Sequence, residues 1–186
     1  MTGKIFLYLA PDFLNKHALH MQPLITTLTD TLIVGRHLTM SLAKDRTTEL
    51  WQGFAPRAKE IGNRVNKDRI SLKVFSIAPN HPAFSTNTPF EKWAAVQVSD
   101  LAAVPDDLDT FTIPQGQYAV FVHKGSPATF GQTLNYIFSD WLPVSDYELD
   151  NRPHFEIMGE GYRLDDPNAE ETIWVPVKQK LFTELA

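Results

Sequence analysis

The chain has 186 residues, 43% of them hydrophobic and 21% charged, with a formal net charge of −5. That length and balance point to one soluble globular domain with room for a sizeable core. No run of Lys or Arg supplies the basic footprint that neutralises phosphates, so neither direct nucleic-acid contact nor membrane-surface binding is expected. The absence of cysteine removes disulfides, thiolate catalysis and Cys-ligated metals.

Residues 1–21 read as an N-terminal extension. Their apolar run, Ile5 to Ala10, is short for a signal-peptide core and is stopped by Pro11 and Asp12. No stretch approaches the length of a membrane-spanning helix, and a cytoplasmic location is expected. "TLIVGRHLTMS" (31–41) has the pattern of a strand with an internal Gly35. "DRTTELWQGFAPRAKEI" (45–61) is helical, with Leu50, Phe54, Ala58 and Ile61 on one stripe. Strands follow at 70–77 and 92–101, joined by a loop rich in Pro and Asn. The same order then returns. A strand over 111–123 contains Gly116, and a helix over 126–142 carries Phe130, Leu134, Ile137 and Trp141 on one stripe. Strands at 152–158 and 172–178 complete the series.

One offset of 81 residues aligns the two halves: it relates Trp93 to Trp174, Gly35 to Gly116, and the expected helix caps Asp45 and Ser126. Pro127 takes the first helical position, where its missing N–H costs nothing. The matched order predicts two repeats, about 22–101 and 102–186, inside a single domain spanning 22–186. Strand periodicity puts Ala94, Val96 and Val98, like Val175 and Val177, on a face buried beneath the helices. Trp93 and Trp174 then share the opposite face, where paired units would make them border one aromatic groove.

The blocks "LWQGFAPRAKEI", "FEKWAAVQVSD", "GQYAVFVHKG", "YIFSDWLPVSDYELDNRPHFEIMGEGY" and "DPNAEETIWVPVK" resemble the gyrase-inhibitor-like (GyrI-like) small-molecule-binding domains. These also serve as effector-binding domains of AraC-type and MerR-type transcription regulators. The resemblance covers roughly residues 22–178. It implies an α+β fold of the SOUL type, in which tandem βαββ repeats related by a pseudo-two-fold place helices on an antiparallel sheet around a central groove. It also implies ligands that are lipophilic and often cationic, held against aromatic side chains and a buried glutamate. Some stand-alone members are implied to bind DNA gyrase or to hydrolyse cyclopropane-bearing compounds. The chain departs from the family pattern in its last strand, where Glu-x-Trp is replaced by Thr172-Ile173-Trp174. The first repeat keeps the spacing as Glu91-Lys92-Trp93.

The ligand-facing candidates are therefore Trp93, Trp174 and Thr172, since a cation over an indole face gains about 0.5–2 kcal/mol. Tyr118, Phe121 and Phe75, and the helical Phe54 and Trp51, are aromatic enough to line the same cavity, although each is also at home in a core. Glu156 and Glu91 are the candidate groove carboxylates and the candidate acid or base of any hydrolysis. Glu156 alternatively pairs with Arg152 or His154. The histidines lack metal-ligand spacing, so no metal or cofactor is expected. Neither a nucleophile elbow nor a phosphate-cradling glycine loop is present. The expected function is a stand-alone module that binds a hydrophobic small molecule. The alternatives are a hydrolase of strained rings and a gyrase inhibitor, and a protein partner would be DNA gyrase or a DNA-binding regulator.

Overall fold

Alternating hydrophobicity dominates the chain, and the computed structural model, which describes residues 22–181, is built on antiparallel strands. They are β1 (Leu24–Leu28), β2 (Thr31–Met40), β3 (Arg69–Phe75), β4 (Phe90–Gln97), β5 (Asp109–Ile113), β6 (Gly116–Lys124), β7 (Tyr147–Leu149), β8 (His154–Met158) and β9 (Glu170–Gln179). Their order across the sheet is β1-β6-β9-β8-β3-β4-β2-β5, with β7 attached to β9. Pairing of β3 with β8 therefore joins the two parts of the chain at the middle of the sheet. At the edges the parts cross over: β1 pairs with β6, and β5 pairs with β2.

Two helices lie on one side of the sheet. The first, α1 (Thr47–Phe54), starts where Asp45 accepts the Thr47 N–H at 2.7 Å. It is shorter than the expected 45–61, because Pro56 has no N–H to continue the ladder. A 3₁₀ turn, Ala58–Glu60, follows. The second, α2 (Pro127–Asn135), begins at Pro127 as expected, but the Ser126 side chain makes no capping bond. The Thr129 hydroxyl instead donates to the Ser126 carbonyl at 2.9 Å. The chain then widens into a π-helical turn, Tyr136–Trp141, which keeps Ile137 and Trp141 buried.

The sheet carries a core on each face. Beneath α1, Ala94, Val96 and Val98 pack with Leu50 and Phe54. Beneath α2, Ile173, Val175 and Val177 pack with Phe121, Ile137 and Trp141. The face without helices has its own cluster, which includes Trp93, Leu72, Tyr118 and Phe155, with Trp174 packed against it. The expected face assignment of the valines and tryptophans thus holds.

Further features differ from the sequence expectation. The strand read over 111–123 is two strands belonging to different neighbourhoods, separated at Pro114 and Gln115. Pro114 cannot donate to a ladder, Gly116 has φ +149°, and the Gln115 N–H donates to Asp30 at 2.7 Å. Strands β1 and β7 are short and were not expected. Residues 1–21, read as an extension, lie outside the described residues. The aligned glycines also have different roles. A Cβ on Gly35 would strike the Ala94 carbonyl and lie 2.7 Å from the Ala95 Cα, whereas one on Gly116 would strike the Arg152 guanidinium.

Candidate functional site

On the helix-free face the strand register sets Trp93 opposite Leu72, Leu72 opposite Phe155, and Phe155 opposite Trp174. One cross-strand row therefore runs Trp93, Leu72, Phe155, Trp174, with the two indoles roughly 14 Å apart, three strand spacings. Trp174 stacks on Phe155, with centroids 5.1 Å apart and planes 17° apart. Trp93 stacks on His37 at 4.6 Å. Each indole is fixed by the residue two places before it: Trp174 Nε1 donates to Thr172 Oγ1 at 3.0 Å, and Trp93 Nε1 donates to Glu91 Oε2 at 3.4 Å.

The two ends of the row differ in access. Trp93 is buried, whereas Trp174 and Thr172 are half-buried and Val122 beside them is 54% exposed. A hollow of about 380 Å³ opens there, lined by Val122, Ile157 and Thr172 together with the acidic Asp68, Glu170 and Glu171. Tyr118 belongs to this face but lies wholly beneath its neighbours. Its hydroxyl donates to the Pro153 carbonyl, Arg152 sits 4.5 Å over its ring, and burial pushes its hydroxyl up to about 12.

The other predicted residues lie on the helix side. Phe54 and Phe121 are core. Phe75 packs edge-on to Phe84 and His154. Trp51 and Glu156 border a second, larger cavity of about 780 Å³ between α1 and α2. Glu156 thus stands across the sheet from the tryptophans rather than beside them, because its parity is that of Ile173's core face. It pairs with neither Arg152 nor His154. Both its oxygens are taken by ammonium groups, Lys73 and, at 3.2 Å, Lys92. Arg152 pairs with Asp150 instead.

This buried cluster has perturbed protonation. Burial raises the Glu156 carboxyl, but the charges of Lys73 and Lys92 outweigh that and hold it down at about 2. Burial lowers the Lys92 ammonium to about 8 in spite of Glu156. Glu171, on the same side, is pushed up by burial and by the Glu156 charge, and accepts the Tyr162 hydroxyl at 3.3 Å. Sequence reading missed both lysines and Glu171. The available signal was parity, since Lys92 alternates in phase with Ala94 and Val96, and Glu171 with Ile173 and Val175.

The family model described as the GyrI-like small molecule binding domain matches residues 21–178, and the chain belongs to that family. The transcriptional regulator BrlR of Pseudomonas aeruginosa PAO1 is 27% identical over 146 residues, 78% of this chain and 51% of BrlR. The chain therefore spans about half the length of that relative. A candidate transcription regulation protein of Staphylococcus aureus MU50 superposes with a TM-score of 0.63 at 18% identity, over 85% of this chain and 99% of that one. SAV2435, solved with tetraphenylphosphonium bound, gives 0.60 at 18% identity, over 85% and 94%. The neighbours share the α+β antiparallel fold.

Among the described residues, no helix is long and apolar enough to cross a membrane.

Proposed function

We propose that the chain is an effector-binding module that takes a hydrophobic small molecule, lipophilic cations included, on the helix-free face beside Trp174. The carrying observation is the hollow lined by Val122, Ile157, Thr172, Asp68 and Glu170, beside which Thr172 holds the Trp174 indole in a fixed orientation. A flat aromatic or aliphatic group gains from covering Trp174 and Val122, and a positive charge gains from the indole face and from Asp68 and Glu170. The hollow falls within the usual range for ligand pockets, about 300–1,000 Å³. That SAV2435 was solved with tetraphenylphosphonium supports the choice of ligand class. Occupancy would be read out by a protein partner such as a DNA-binding regulator, in keeping with the kinship to BrlR. A hydrolytic reading gains little, since Glu156, clamped by two ammonium groups, is a weak base.

Titration with tetraphenylphosphonium, followed by tryptophan fluorescence, tests the proposal. Saturable quenching is expected, and Trp174→Ala should weaken the affinity about tenfold, the equivalent of about 1.4 kcal/mol. Equal affinity in wild type and variant would place the ligand elsewhere.

A further inference from the structure

Lys73 and Lys92 are direct cross-strand neighbours on β3 and β4, and both reach the charged floor of the cavity between α1 and α2. Lys92 has the parity of Ala94 and Val96 and is only 4% exposed. A lysine in that position has lost nearly all the water that favours its charged form. The neighbouring ammonium of Lys73 acts in the same direction. Desolvation and a second cation are the two conditions that turn a lysine into an amine nucleophile.

The surrounding charges oppose this only in part. Glu156 on β8 accepts from both lysines, from Lys92 at 3.2 Å. Asp45, before α1, is held below the usual carboxylate range by its hydrogen bonds to Thr47 and faces both lysines. Glu171 on β9 is pushed up by burial and engaged with Tyr162, and burial keeps His154 neutral opposite Lys73. Glu156 and Asp45 thus match the two lysines in number. Burial still brings the Lys92 ammonium from 10.5 down to about 8. At neutral pH roughly a tenth of Lys92 is then free amine, about 300-fold more than in an ordinary lysine. Trp51, Phe130 and Met158 wall the cavity above it and suit an uncharged, hydrophobic reactant.

We propose that Lys92 captures hydrophobic aldehydes covalently and reversibly, as an imine formed on the cavity floor. The nitrogen lone pair attacks the carbonyl carbon, and the carbonyl π pair moves onto oxygen. That oxygen takes a proton from the Lys73 ammonium, and the added nitrogen returns one to Lys73. The C–O bond then breaks, and the hydroxyl leaves as water with a second proton from Lys73, which solvent restores. Overall an ammonium and an aldehyde become an iminium and water, with no oxidant or reductant consumed. The iminium carries the single positive charge of the ammonium it replaces, so Glu156 stays paired. Lys92 lies across the sheet from Trp174, and its chemistry does not depend on what binds there.

Treatment of the full chain with 2-naphthaldehyde and sodium cyanoborohydride, followed by peptide mass spectrometry, provides the test, because hydride fixes each imine as a secondary amine. At neutral pH Lys92 should be labelled at least about tenfold faster than the exposed Lys178. The ratio of the two rates should fall as pH is raised toward 10, where Lys178 gains free amine and Lys92 has none left to gain. Lys92→Arg, which keeps the charge against Glu156, should lose the label, and Trp174→Ala should leave it unchanged. Should Lys92→Arg fail to fold, the wild-type peptide map decides alone. Labelling of Lys92 no faster than that of Lys178, a label carried by Lys73 instead, a rate ratio indifferent to pH, or a Lys92 label lost in Trp174→Ala would each overturn the assignment.

Discussion

Trp93 and Trp174 occupy mirror places on one cross-strand row, separated by Leu72 and Phe155, and each indole N–H is held by the side chain two residues earlier. The symmetry is broken by the acceptor: a carboxylate at Glu91, a hydroxyl at Thr172. The acid stands beside the buried indole and the hydroxyl beside the accessible one.

Moving a carboxylate to the accessible end should therefore alter selectivity. Thr172→Glu is expected to raise affinity for tetraphenylphosphonium about tenfold, with little change for an uncharged aromatic of similar size. Calorimetry at neutral pH measures both, and a variant that gains on neither count contradicts the electrostatic reading of the hollow.

Glu156 should be indispensable to the fold as long as its lysines remain. Glu156→Ala leaves the buried Lys92 ammonium facing the half-buried Lys73 with no counter-charge between them and should cost about 3–5 kcal/mol in urea denaturation. Replacing the whole cluster, Lys73→Met, Glu156→Leu and Lys92→Met together, should recover most of that loss. A triple variant no more stable than Glu156→Ala would mean that packing, not charge, carries the effect.

Acid should unfold the protein partly through His154. Burial first, and the Lys73 charge second, lower its imidazole from 6.5 to about 3. The unfolded chain therefore takes up a proton below about 6.5 that the folded chain refuses until about 3. The stabilisation from this residue is complete above the upper value and is lost as pH falls toward the lower, at about 1.4 kcal/mol per pH unit. His154→Phe, set among Phe75 and Phe138, should flatten the slope of stability against pH across that window. An unchanged slope would assign the acid sensitivity to other groups.

Glycine substitutions should separate close packing from backbone freedom. Gly35→Ala drives a methyl into the β4 backbone and should cost about 1–3 kcal/mol or more. Gly131→Ala, in α2 with open space around it, should add about 0.5–1 kcal/mol. Thermal melts of the two variants would move in opposite directions, and equal losses would refute the steric account.

Strand parity was the part of this molecule most legible in the sequence. It separated Val96 and Val175 from Trp93 and Trp174, and it did so because side chains on a pleated strand alternate strictly. The chain break at Pro114 was harder to see, since residues on both sides read as strand and only the missing donor and Gly116 mark the turn. The charged floor was hidden for another reason. Lys73, Lys92 and Glu156 come from three distant segments, and each alone looks like a solvated side chain. Their burial makes sense only once β8, β3 and β4 lie side by side, which a local pattern cannot show. Glu171 has the parity opposite to Trp174, which directs it to the cavity on the helix side.

The crossed edge strands have a mechanical consequence. Because β1 closes the flank of β6 and β5 closes that of β2, a fragment ending near residue 101 would leave β1 without a partner and β2 with a bare row of amides and carbonyls. Such an open flank recruits other chains. Neither stretch can finish its own sheet, so the molecule must assemble across its full length, with distant segments meeting before either is complete.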